Sequence, residues 1–253
     1  QDPRTGKQLT RVPQSGAGDG GRKRRRKVVG YDLQISVPKS VSVLYALGST
    51  DLRVAIQSAH RRAFLRVLRY IETEGLIITR TGARSARHEP ASETVASLYT
   101  HILSRDLDPQ LHTHAVLLNI CVRPDGKIGA IDNHRLKQHG GAIAALHRCE
   151  LAYILREELG LEVVRDGRNF KLPIVPDAVA RLLSKRRIAI EDDAHAAGIN
   201  TAADRKRAQM ISNKTRADKI KGLSLADLTR DWARQARETG FDHVSAFAEV
   251  EAR

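Results

Sequence analysis

The chain has 253 residues, 41% of them hydrophobic, enough to bury one sizeable core, which excludes an intrinsically disordered protein. Lys and Arg number 43 against 29 acidic residues, and a net charge of +14 implies a polyanionic partner, nucleic acid or an anionic membrane. No apolar run approaches the ~18 residues of a spanning helix, no secretory signal opens the chain, and two cysteines without a CxxC suit a reducing cytoplasm, so nucleic acid leads.

Residues 1–27 read as a basic flexible linker, rich in Gly, Pro and charge and without apolar period. Its six consecutive bases, Arg22 to Lys27, are either a solvated tail or a phosphate contact. "VVGYDLQIS" (28–36) predicts a strand stopped by Pro38, and "KSVSVLYALGS" (39–49) a short helix. Residues 49–75 predict a long amphipathic helix with Leu52, Ile56, Ala59, Phe64, Val67, Leu68 and Ile71 on one face and Thr50 or Asp51 as N-cap. Further strands are expected at 76–82, 93–104 and 110–123, and "PDG" (124–126) turns the chain into "KIGAI". A helix over 133–160, a small hairpin in "GLEVVRDGRNFKLP" and a charged helical stretch from Pro176 to about Thr239 complete the pattern. The expected fold is α+β: one antiparallel sheet of four or five strands over residues 28–175, helices packed on its faces, and a helical C-terminal extension over 176–253.

Within "THILSRDLDPQLHTHAVLLN" (100–119) lie three of the ten histidines. His112 and His114 are two apart in a strand, so they project from the same face. A hairpin closing symmetrically about residues 106 and 107 places His101 opposite His112. Three neutral nitrogens leave positions open on a divalent ion, the condition for a catalytic rather than a structural site. An HxH on a strand is often only two unrelated histidines; the third at hairpin distance favours metal. His134, His139 and His147 fall on or near the next helix, outside this ligand set. Asp32, inside an otherwise apolar strand, needs a partner, and a ligating histidine's second N–H is one; an edge position facing water is the alternative.

Taken together, these segments resemble conjugative relaxases of the MobF type. "GYDLQISVPKSVSVLYALG" is similar to that family's "FDLTFSAPKSVS" signature, and "HILSRDLDPQLHTHAVLLN" to its three-histidine motif. "IDNHRLKQHGGAIAALHRCELAYILREELG", "SKRR" (184–187) and "NKTRADK" (213–219) resemble later blocks, in order, over roughly residues 28–240. The resemblance implies an HUH endonuclease whose antiparallel palm carries the histidines. Such enzymes cut one strand at a plasmid transfer origin: a tyrosine attacks the scissile phosphate and stays joined to the 5′ end while the 3′ hydroxyl leaves. It further implies a divalent ion, Mg²⁺ or Mn²⁺ with other divalent ions also accepted, held by His101, His112 and His114 and polarising the phosphate. Asp32 matches the family's catalytic acidic residue, which orients a metal histidine and takes the tyrosine proton. Arg105 matches a DNA-contacting position, and Lys39 in the PKS turn is a further phosphate contact. Single-stranded or hairpin origin DNA is the implied partner, with other relaxosome and coupling proteins, in the bacterial cytoplasm and without membrane insertion.

One departure concerns the nucleophile. The family's tyrosines lie tens of residues ahead of the FDL-type strand, whereas here the 31 residues before Asp32 contain only Tyr31. Tyr31 adjoins Asp32 and so points to the other face. Tyr45, Tyr70 and Tyr99 fall in core-like elements, and Tyr153 in a helix without a tyrosine role in the family. No nucleophile is assigned. The expectation is either an N-terminal segment missing from this chain or a relative that does not cut by itself. Two alternatives stand beside the relaxase: a non-cleaving origin-binding module, and a three-histidine metallohydrolase of small substrates. A charge of +14 argues against the latter.

Overall fold

The computed structural model of the chain describes residues 28–196, 198 and 224–252. The expected linker (1–27), the "NKTRADK" block and part of the expected C-terminal helical stretch lie outside the described residues.

Strand β1 (Gly30–Ser36) ends before Pro38, whose ring begins helix α1 (Lys39–Leu47). Helix α2 (Thr50–Thr73) buries Leu52, Ile56, Ala59, Phe64, Val67 and Ile71 of the expected stripe and Ala63 besides, while Leu68 is half-buried. Its cap is Ser49, not Thr50 or Asp51: the Leu52 amide donates to Ser49 Oγ at 3.3 Å. Next come β2 (Ile78–Thr81), β3 (Arg87–Pro90), β4 (Glu93–Leu103), β5 (Pro109–Val122), β6 (Ile128–Gly129) and β7 (Ile131–Asp132). Helices α3 (His134–Gln138) and α4 (Gly140–Glu157) replace the single expected helix. The chain turns at His139, and the two glycines that follow are poor at holding a helix continuous. A hairpin, β8 (Val164–Asp166) and β9 (Asn169–Lys171), leads to α5 (Asp177–Leu182) and α6 (Lys185–Ala196). Beyond them lie α7 (Leu225–Glu238) and α8 (His243–Glu251), whose cap Asp242 accepts from the Val244 amide at 3.1 Å.

The strands form more than the one sheet expected. In the first, β1, β5 and β4 lie in that order and β6 also pairs with β5. Val37 N donates to Leu111 O and Asn119 N to Val29 O, so β1 and β5 run antiparallel. The second sheet has the order β3-β2-β7. The reason is local to "KIGAI": Gly129 pairs with Cys121 of β5, but Ile131 pairs with Thr79 of β2, and Thr79 Oγ1 donates to the Ala130 carbonyl between them. Strand β3 was not expected from "RHEP", which has no apolar alternation and takes its strand form from pairing with β2.

The chain clusters into two compact units. One holds the residues up to Leu33, 69–98 and 114–141, and includes the β3-β2-β7 sheet. The other holds 34–68, 99–113 and 142 onward. Its core joins Val41, Leu44 and Ile56 with Leu111, Leu151, Leu172, Trp232 and Phe247. The C-terminal helices therefore share one core with α1 and α2.

Candidate functional site

The β4–β5 hairpin is closed by a five-residue turn that its sequence holds tightly. Ser104 N donates to Asp108 O at 2.9 Å, and the Asp108 amide donates to Ser104 Oγ at 3.1 Å. Leu107 takes φ +62°, a left-handed conformation uncommon outside glycine. Its carbonyl accepts from Trp232 Nε1 at 2.9 Å, and Trp232 is buried. Asp108 is also buried, with Lys185 Nζ 3.8 Å away and the first backbone amides of α6 beside it. Burial raises its pKa, and Lys39 and Lys185 pull against that shift. Lys39 is turned inward: Nζ donates to the Pro109 carbonyl at 2.8 Å, and burial lowers its pKa to about 8. One donor of the Lys39 ammonium, expected as a phosphate contact, is thus engaged at the root of β5. Arg105 sits half-buried in the turn.

The hairpin brings His101 and His112 face to face, with ring centroids 5.3 Å apart and planes inclined by 37°. The hydroxyls of the neighbouring pair, Thr100 and Thr113, lie 3.0 Å apart. His112 Nδ1 donates to the Gln110 carbonyl at 2.8 Å. His114 Nδ1 donates to both carboxylate oxygens of Asp32, at 2.9 and 2.8 Å. In both rings the lone pair therefore sits on Nε2, the usual ligating atom when Nδ1–H is held by an oxygen. The two readings of Asp32 coexist: it lies on β1 at the sheet's edge, half exposed, and it is paired with a histidine. Among the described residues no three His, Cys, Asp or Glu side chains already converge as they would around an ion. The fit to a divalent ion thus rests on donor chemistry: imidazoles on β4 and β5, two with their tautomer set by oxygen acceptors.

The tyrosines divide differently from expectation. Tyr31 is half-buried, its hydroxyl 3.4 Å from the Ile131 carbonyl, and burial raises the pKa of Tyr45. Tyr99, expected in the core, is 55% exposed and lies two residues before His101, on the same face of β4. Tyr153 is exposed as well.

A second histidine group escaped the sequence reading. His60 on α2 and His147 on α4 are buried against each other, Nδ1 to Nε2 at 3.0 Å, and His60 Nε2 lies 2.9 Å from Thr113 Oγ1. Burial, and then each one's charged or ring neighbour, lowers His60 to a pKa of about 3 and His147 to about 4. A signal was available: His60 falls in the stripe Ile56, Ala59, Ala63, Phe64, and His147 in Ile143, Leu151, Ile154, so each is a polar residue where the helical period demands burial.

No helix among the described residues is long and apolar enough to cross a membrane. The family model described as TrwC relaxase matches residues 1–239. The multifunctional conjugation protein TraI of Escherichia coli K12 is 30% identical over 226 residues, 84% of this chain. A second Escherichia coli TraI is 29% identical over 238 residues. The chain spans 12% of the length of each of these relatives. Among solved structures, the conjugative relaxase TrwC in complex with oriT DNA, copper-bound, superposes with a TM-score of 0.79 at 30% identity, covering 94% of this chain and 78% of that one. TrwC with oriT DNA in its metal-free form gives 0.76 at 30% identity, covering 89% and 81%. TrwC with a 27-mer comprising the recognition hairpin and the cleavage site gives 0.74 at 29%, covering 89% and 82%. The histidine hairpin, the Asp32–His114 pair and these matches together establish that the chain belongs to the TrwC relaxase family.

Proposed function

We propose that this chain binds the single-stranded and hairpin DNA of a plasmid transfer origin and supplies the metal half of a strand-nicking site. The observation that carries the reading is the pairing of His114 Nδ1 with Asp32 in a chain whose hairpin also sets His101 against His112. His101, His112 and His114 would hold a divalent ion, which when bound polarises the scissile phosphate. All-nitrogen donors favour Mn²⁺ and later transition metals over Mg²⁺. Asp32 holds the His114 ring in orientation, and its exposed carboxylate is placed to take a proton from an incoming hydroxyl. Arg105, in the turn between the histidine strands, is the proposed reader of the DNA beside them. The excess of basic residues supplies the sequence-independent part of the affinity.

The nicking step itself exchanges one phosphodiester for another: a tyrosine oxygen bonds phosphorus, the 3′ oxygen leaves, and the tyrosine proton is passed on. Tyr31 and Tyr45 are withdrawn from this role by their bonding and burial. No tyrosine of this chain is assigned as the nucleophile, and the chain by itself is proposed to bind DNA and metal and to form no 5′-phosphotyrosine. Labelled origin oligonucleotide with Mn²⁺ on a denaturing gel tests this, with salt-dependent binding measured alongside. A covalent band abolished by Tyr99→Phe would place the nucleophile on β4 and overturn the proposal. Cutting without an adduct would favour the metallohydrolase, and binding insensitive to salt would sink the nucleic-acid reading altogether.

A further inference from the structure

Thr113 stands between His112 and His114 on β5, and Thr100 stands beside His101 on β4. Strand alternation turns both threonines away from the histidine face. There they meet a continuous chain of hydrogen bonds, buried as far as Thr113 and exposed at Thr100: His147 Nε2 to His60 Nδ1 at 3.0 Å, His60 Nε2 to Thr113 Oγ1 at 2.9 Å, and Thr113 Oγ1 to Thr100 Oγ1 at 3.0 Å. His147 Nδ1, at the far end, is buried without a hydrogen-bond partner among the described residues. That orphan sets the direction of the chain. A buried lone pair without a donor costs less than a buried N–H without an acceptor, so His147 carries its proton on Nε2. His147 then donates to His60, His60 donates to Thr113, and Thr113 donates to Thr100. Each atom has one consistent role with both rings neutral, as their deep burial requires.

We infer that His60, His147, Thr113 and Thr100 are positioning residues of the histidine site, holding β4 and β5 in the register that sets His101 against His112. A one-residue slip of β4 on β5 would turn His101 to the opposite face. Apolar packing behind the strands opposes such a slip, and a directional chain of three hydrogen bonds ending on the two threonines opposes it further. The inferred role is exercised through the strands and not by contact with DNA or an ion. Its metal arm rests on the proposed metal reading; the register arm does not.

The test compares wild type with Thr113→Val, Thr113→Ser and Thr100→Val. One readout is calorimetric titration with Mn²⁺. The other is the cross-strand nuclear Overhauser contact between the His101 and His112 rings in metal-free protein. Thr113→Val should lower Mn²⁺ affinity ~10-fold or more, the range for residues that orient ligands, and should lose the ring contact. Thr113→Ser, which keeps the hydroxyl, should restore both. A merely structural threonine would lower the melting temperature and leave the ring contact intact. If Thr113→Val does not fold, Thr100→Val, at the exposed end of the chain of bonds, decides by the same readouts. Wild-type affinity and ring contact in both valine variants would overturn the inference, as would a serine variant no better than valine. A wild-type chain that takes up no Mn²⁺ would sink the metal reading, and the ring contact would still decide whether the threonines hold the register.

Discussion

Two groups of histidines sit on this molecule under opposite conditions. His114 is partly exposed, and its Nδ1 is held by a half-exposed carboxylate. His60 and His147 are buried and bonded to each other and, through His60, to a threonine, with pKa values pushed down to about 3 and about 4 chiefly by burial. The first environment leaves an imidazole able to offer Nε2 to an ion. The second forces the ring to stay neutral and converts it into a directional hydrogen-bonding strut. Residue type decides neither role; the partner of each nitrogen and its access to water do.

The largest effects should separate the two groups cleanly. Replacing His112 and His114 together by Ala should weaken Mn²⁺ binding by more than the ~100-fold at the top of the range for outer partners. Equal affinity in wild type and double mutant would erase the contrast. His60→Ala should act first on stability, costing ~2–4 kcal/mol through its cavity and the partners it orphans, as read by denaturant unfolding, with a smaller loss of Mn²⁺ affinity than the double mutant. The acid side sharpens the same contrast. Both buried histidines have folded-state pKa values below the ordinary 6.5, so the unfolded chain binds protons first. Stability should be intact above pH 6.5 and fall as the pH drops toward about 4 for His147 and about 3 for His60. His60→Gln should flatten that fall relative to wild type; an unchanged pH profile would show that His60 is not held neutral. Asp32→Asn should cost ~10-fold in metal affinity by releasing the His114 ring, leaving DNA binding in chelator unaffected. Arg105→Ala should cut discrimination between cognate and scrambled origins by about tenfold, the low end of a base-reading contact, and should barely change non-specific binding. The smallest effect belongs to His134→Ala and His139→Ala, for which unchanged Mn²⁺ titrations are expected.

Much of the histidine hairpin was legible because its rules are local. A strand alternates every residue, so His112 and His114 share a face whatever the rest of the chain does. The turn "SRDLD" folds β4 back along β5, and His101 does face His112. Asp32 was legible as an acid needing a partner. Lys39 and Tyr99 were not. The bond from Lys39 to the Pro109 carbonyl joins residues 70 positions apart, beyond any local pattern. Tyr99 looked buried because its strand is apolar, yet it stands on the outward face.

By itself, the sequence determined the amphipathic course of α2, the histidine strand pair and the basic character of the chain, since each follows from short-range periodicity or from charge. Only the tertiary structure decided that "KIGAI" divides between two sheets at Ala130, that Trp232 reaches back 125 positions to the Leu107 carbonyl, and that His60 and His147 meet behind Thr113. These are contacts between residues far apart in the chain. Their energy depends on which groups end up without water, and no local pattern carries that information.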